Sequence, residues 1–234
     1  MAPSYHIRPA SSLLEDGKRI LEFADSQASH LAQIGSGEQW GSDSLSASET
    51  SQQKYRSLVE RSESRQTWSK DWVQISMLEA EDDAFPADVE HLTRAEPSRG
   101  GRQLLPVAAM VLEGRSSEYT RPVLPEQDDQ DPFVYIRFLV TDRRVGALSK
   151  GSGQKMLKHA EDVARALEVA RLCLDAWSGN DYSLVKYVVN CILMSNCLLM
   201  GTVPNRYYER QGFRRLGDVV DEPDWPATVL ERRI

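Results

Sequence analysis

Lys150-Gly-Ser-Gly153 is the stretch of this chain best suited to holding a charged ligand. No acidic residue occurs from Arg143 to His159, and the glycines separate a β-branched apolar run from an amphipathic one. A strand that turns through glycine into a helix aims several unpaired N–H groups, and the positive end of the helix dipole, at one spot. Such a spot binds phosphate or another anion without specific side chains. The chemistry implied is a phosphate-bearing ligand at the start of that helix; a purely structural turn would use the same glycines. Two better-known phosphate loops do not fit. A dinucleotide fingerprint needs a third glycine where Met156 stands, and Gly146-Ala-Leu-Ser-Lys-Gly151 lacks the Lys-Ser or Lys-Thr of a Walker loop.

Other reactive residues offer less. His6, His30, His91 and His159 are scattered without ligand spacing, so no metal is expected. None of Cys173, Cys191 and Cys197 stands at a loop position suited to a nucleophile. Their odd number and apolar surroundings predict reduced thiols and a cytoplasmic protein. Met1-Ala-Pro-Ser-Tyr-His-Ile-Arg8 carries no apolar signal segment. A formal charge of −7 argues against nucleic acid as partner and mildly favours a cationic small molecule or peptide. Ordinary solubility charge explains it as well.

The elements that must position the glycine turn follow from spacing. Val134-Tyr-Ile-Arg-Phe-Leu-Val140 predicts a buried strand. Met156, Leu157, Ala160, Val163, Ala164 and Leu167 form one helical stripe. Before them come a short edge strand at Tyr5–Arg8, a helix from Leu13 to Ile34, a Gly/Ser-rich loop from Gly35 to Ser51 and a helix from Glu49 to Arg65. Trp72–Leu78 and Leu104–Glu113 predict strands, with the acidic run Glu79–Asp83 a solvated turn and the rest to Gly101 a loop. Glu126–Asp131 is a charged, hairpin-like connection. Afterwards come a strand at Arg171–Trp177, a helix from near Tyr182 that Gly212 stops, and strands at Arg214–Val220 and Thr228–Ile234. At 234 residues the chain reads as one domain, 1–234, a mixed α/β sheet with helices on its faces.

With these elements in order, the chain resembles the GNAT superfamily of acetyl-CoA-dependent N-acetyltransferases. The likeness rests on the Leu139-Val140 strand end feeding Gly151-Ser-Gly153, on the element order, and on Tyr208-Glu-Arg-Gln-Gly-Phe213, similar to the family's Tyr-Glu-x-x-Gly-Phe. It implies a central mixed sheet of about six to seven strands flanked by helices. It further implies that the backbone at Leu139 and Val140 pairs with the pantetheine arm of acetyl-CoA like an added strand. The amides of Lys150, Gly151, Ser152, Gly153 and Gln154 would hold the pyrophosphate. The acceptor would be a small-molecule or peptide primary amine lying against the first two helices, attacking the thioester directly.

On this resemblance the N–H of Val140 would stabilise the oxyanion and Tyr208 would protonate the departing thiolate. Val134–Val140 holds no carboxylate, so Asp175 on the next strand is the nearest candidate base, with Glu113 a second and water chains a third. Alternatives are a fold that binds CoA without turnover, or a transferase of longer acyl groups. Two departures stand out. Leu148 occupies the position where the family usually has Arg or Gln, leaving Arg143, Arg144 and Lys150 to supply a cation. The apolar run Val188–Tyr207 interrupts the last helix and contains Pro204, which forbids one helix through it. Asn190, Ser195 and Asn196 make it a poor membrane span. Without it, Asn180–Tyr187 would run directly into Tyr208–Phe213, as if an intervening gene segment had been retained. As a true insertion it would form a hydrophobic flap or a homodimer contact.

Overall fold

The computed structural model describes residues 3–33, 43–64, 67–96, 100–178, 207–221 and 225–234. The strands are β1 (Ser4–Pro9), β2 (Val73–Asp82), β3 (Arg94–Glu96), β4 (Arg102–Glu113), β5 (Phe133–Thr141), β6 (Arg171–Trp177), β7 (Arg214–Asp221) and β8 (Trp225–Arg233). The helices are α1 (Asp16–Gln33), α2 (Glu49–Glu63), α3 (Ser152–Ala166) and the single turn α4 (Tyr207–Arg210). The expected helix near Tyr182 and the run 188–206 lie outside the described residues. The strands form one 8-stranded sheet in the order β1-β2-β4-β5-β6-β8-β7, with β3 beside β4. Only β5 and β6 pair in parallel; every other pair is antiparallel. The sheet thus exceeds the expected strand count, the short β3 having been read as loop.

The stripe on α3 does what its spacing demands. Met156, Leu157, Ala160 and Ala164 are buried and join Val134 and Ile136 of β5 and Leu172 and Leu174 of β6 in one core. On the other face Ile20 and Phe23 of α1 and Val59 of α2 cover Ile75, Met77 and Val140. Helix α1 starts only at Asp16, because Leu14 closes a turn of 3-10 helix and Glu15 takes a left-handed φ of 52°.

The acidic run is the clearest difference from expectation. Strand β2 continues to Asp82, and Glu79 is fully buried. Its carboxylate meets Arg8 and Arg94 at 2.9 Å and His6 at 3.0 Å. Buried carboxylates persist only when paired, and here the partners come from β1 and β3. Burial alone would raise the Glu79 carboxyl, but Arg8 and Arg94 outweigh it and hold it below the usual glutamate range. Two bulges shape the sheet's centre. In β4, Leu78 faces Ala108 while Glu79 faces Pro106, so Val107 is the extra residue. A proline inside a central strand is tolerated at such a bulge. In β5, Val111 faces Phe138 while Leu112 faces Ile136, which leaves Arg137 unopposed.

Candidate active site

The glycine turn is built as its sequence implies. After β5 the chain passes through a 3-10 turn at Gly146–Ser149, and Gly151 adopts a φ of +78° that favours glycine. Helix α3 then begins without a side-chain cap. Its first backbone bond is from the Lys155 N–H to the Gly151 carbonyl, 3.2 Å. The N–H groups of Ser152, Gly153 and Gln154 consequently have no intrahelical acceptor. The Ser152 Oγ is buried and also without a partner. Leu148, at the position where the family usually has Arg or Gln, packs against the core, and its carbonyl accepts from the Tyr5 hydroxyl at 2.9 Å. Arg144 does not supply the missing cation: Asp142 at 2.8 Å and Glu22 at 3.5 Å already hold it. Among the described residues Arg143 and Lys150 make no ion pair.

Beside this turn the sheet opens. Strands β5 and β6 pair only from Phe133 to Ile136 against Arg171 to Leu174. Beyond that point, where Arg137 bulges, they part, and a cavity of about 310 Å³ lies between them. The bulge changes which face each β5 side chain takes. Val134, Ile136 and then Leu139 face α3, while Tyr135 and then Phe138 and Val140 face the opposite side.

Backbone direction along β5 corrects one expectation. The Asp142 N–H bonds the Val107 carbonyl at 2.8 Å. In an antiparallel ladder alternate residues exchange both bonds with the partner strand. Val140, paired with Ala109, therefore turns its N–H and carbonyl toward β4 and cannot offer that N–H to the cavity. Leu139 and Thr141 point theirs to the open side. The Thr141 carbonyl accordingly accepts from the Gln27 amide of α1 at 2.6 Å.

Asp175 and Tyr208 both line the cavity, as do Leu139, Val140 and Gly153. Both Asp175 oxygens are held by phenols, one by Tyr119 at 2.7 Å and the other by Tyr135. Burial raises the Asp175 carboxyl more than these hydroxyls and Arg137 lower it. Burial likewise raises the Tyr208 hydroxyl, as it does those of Tyr119 and Tyr135. Tyr208 is wedged edge-on between Tyr207 and Phe213, with ring centres at 5.2 and 5.8 Å. Glu113, the second base candidate, does not line the cavity. It holds Arg137 Nε at 2.8 Å, and the same guanidinium donates to Ser117 and lies 5.3 Å from the Tyr135 ring centre.

Other residues at this site were not singled out from sequence. Tyr207 is buried, burial pushes its hydroxyl up to about 12, and that hydroxyl lies 3.0 Å from where a Cβ on Gly153 would sit. Tyr119, Trp177 and Trp225 also line the cavity. Of the first two helices, α1 contributes Gln27 and Leu31, and α2 contributes nothing among the described residues.

No protein-family profile matches the chain, and no curated protein matches it in sequence. Solved structures do match, along almost its whole length. A GNAT-family acetyltransferase from Listeria monocytogenes 4b F2365 superposes with a TM-score of 0.53 at 16% identity, covering 98% of this chain and 95% of that one. The PaiA N-acetyltransferase from Thermoplasma acidophilum, in complex with coenzyme A, gives 0.51 at 12%, covering 99% of both. An acetyltransferase structure from Acinetobacter baylyi ADP1 gives 0.53 at 9%, covering 100% and 95%.

The chain has the GNAT fold. Among the described residues no helix is long and apolar enough to cross a membrane. None of their His, Cys, Asp and Glu side chains cluster in a way that could hold a metal.

Proposed function

We propose that this GNAT-fold protein transfers acetyl from acetyl-CoA to a primary amine by direct attack. The observation that carries the reading is the opening between β5 and β6, where Gly153 at the uncapped start of α3, the outward backbone of Leu139 and Thr141, and the Tyr208 phenol share one cleft. The N–H groups of Ser152, Gly153 and Gln154 suit a pyrophosphate. The outward Leu139 carbonyl and Thr141 N–H suit an amide-bearing arm laid down as an extra strand. Gly153 leaves room at that point that a side chain would take from Tyr207.

In the reaction, the neutral amine nitrogen bonds to the thioester carbon and the C–S bond breaks. The Leu139 N–H stabilises the oxyanion, replacing Val140 in that role. Tyr208 gives its proton to the departing thiolate and recovers one from the nitrogen through solvent. A phenol near 10 is a weaker acid than a thiol near about 8.5, so this step is uphill in water. Burial raises the Tyr208 hydroxyl further, so the transfer depends on phenol and sulfur being held together in the cleft. Asp175 accepts the proton that the incoming ammonium must lose before attack.

The test is CoA release from acetyl-CoA over a panel of primary amines, with CoA binding measured in parallel. Amine-dependent release is expected; saturable CoA binding with no release above background would make the protein a CoA binder, and no CoA binding would end the reading. Competing hexanoyl-CoA against acetyl-CoA separates a longer-chain transferase.

A further inference from the structure

Around Asp175 the cavity combines a carboxylate that makes no ion pair among the described residues with several aromatic rings. Tyr119 and Trp225 meet edge to face at 5.9 Å, and Trp177 and Tyr208 complete the lining on the β6 and α4 sides. Among the described residues two charged side chains line the cavity, Asp175 and Arg137. The guanidinium is already neutralised by Glu113 at 2.8 Å and also donates to Ser117. With Asp175 ionised, the three charges leave one negative charge over. Its two oxygens are fixed by phenol donors, which orient the carboxylate without cancelling its charge.

We propose that the acceptor end of this cavity selects amines that are monocations with an uncharged body, held between the Asp175 carboxylate and the rings of Tyr119 and Trp225. Aromatic faces attract a desolvated cation through their quadrupoles, and an ion pair in a partly buried site is stronger than in water. An α-carboxylate on the acceptor finds no free cation among the described lining residues, because Glu113 occupies Arg137. A second ammonium finds no partner either, since no other acidic side chain among the described residues lines the cavity. The inference rests on reading this cavity as the amine site, and it names the acceptor class that reading leaves open.

A quaternary ammonium tests recognition apart from chemistry, since it cannot be acetylated. Choline and its uncharged carbon isostere 3,3-dimethylbutan-1-ol are titrated into the full chain, with and without CoA. Choline is expected to bind at least about tenfold more tightly. Trp225→Leu should erase that preference and Tyr119→Phe reduce it, with melting temperature recorded for each. Equal affinity, or no binding of choline, overturns the proposal on the unaltered protein alone. In turnover, phenethylamine should exceed both phenylalanine and putrescine about tenfold in kcat/KM. Should phenylalanine match it, transfer stands and the monocation rule falls. Selective choline binding by a protein that acetylates no amine would support the cation site and end the transferase reading instead.

Discussion

The Tyr207 hydroxyl occupies the space that a β-carbon on Gly153 would need, at 3.0 Å. Gly153 sits within helix α3 without a positive φ, so the glycine answers to this neighbour and not to backbone strain. Gly153→Ala should therefore improve intrinsic helix propensity while displacing Tyr207 over the amides at the helix start. CoA affinity, measured by calorimetry, should fall about tenfold, roughly 1.4 kcal/mol. Adding Tyr207→Phe removes the obstructing oxygen and should restore most of it.

Tyr208→Phe keeps the ring wedged between Tyr207 and Phe213 but removes the proton donor. The expected result is a fall in kcat of about a hundredfold with the KM for acetyl-CoA little changed. Burial raises the Tyr208 hydroxyl, so it stays protonated through the ordinary alkaline range. Any alkaline decline in kcat that belongs to this group should lie above about 10. An unaltered kcat in the phenylalanine variant would remove Tyr208 from the chemistry.

Asp175 has to be ionised to take a proton, and its carboxyl is raised by burial. The acid limb of kcat/KM should accordingly lie above the ordinary aspartate value of about 3.9, with activity rising as pH rises through it. Asp175→Asn should abolish that limb and depress the plateau, while CoA binding persists. A pH profile identical to that of the parent would place the base elsewhere.

Stability has its own acidic determinant. Glu79→Gln removes the charge that Arg8 and Arg94 share in a fully buried position. Denaturant unfolding should show a loss of about 3 kcal/mol. Because the folded Glu79 carboxyl is held below its usual range, its contribution is complete above the unfolded value of about 4.3. That contribution is lost as pH falls through the lower folded value. The Gln variant should therefore show a flatter acid dependence than the parent.

Much of this was legible in the residues themselves, for physical reasons. The stripe from Met156 to Ala164 and the β-branched run at Val134 announce their periods locally, and the glycine turn between them announces an uncapped helix start. Glu79 was misread because its partners on β1 and β3 are brought to it only by the sheet. Val140 and Leu139 are chemically alike in sequence; the ladder set by Asp142 and Val107 alone decides which N–H faces outward. Tyr119 and Trp225 lie far apart along the chain, beside a carboxylate that accepts from Tyr119 and that neither neighbourhood hints at. Tyr207 stood at the edge of the apolar run and gave no local sign of its contact with Gly153.

The unopposed residue at Arg137 has a bearing on how this protein can change over time. Losing or gaining one codon anywhere between Phe133 and Val140 would swap the inner and outer allegiance of everything downstream on that strand. Only compensated pairs of such events would leave the lining intact. The strand's length is thus a quantity held fixed by parity.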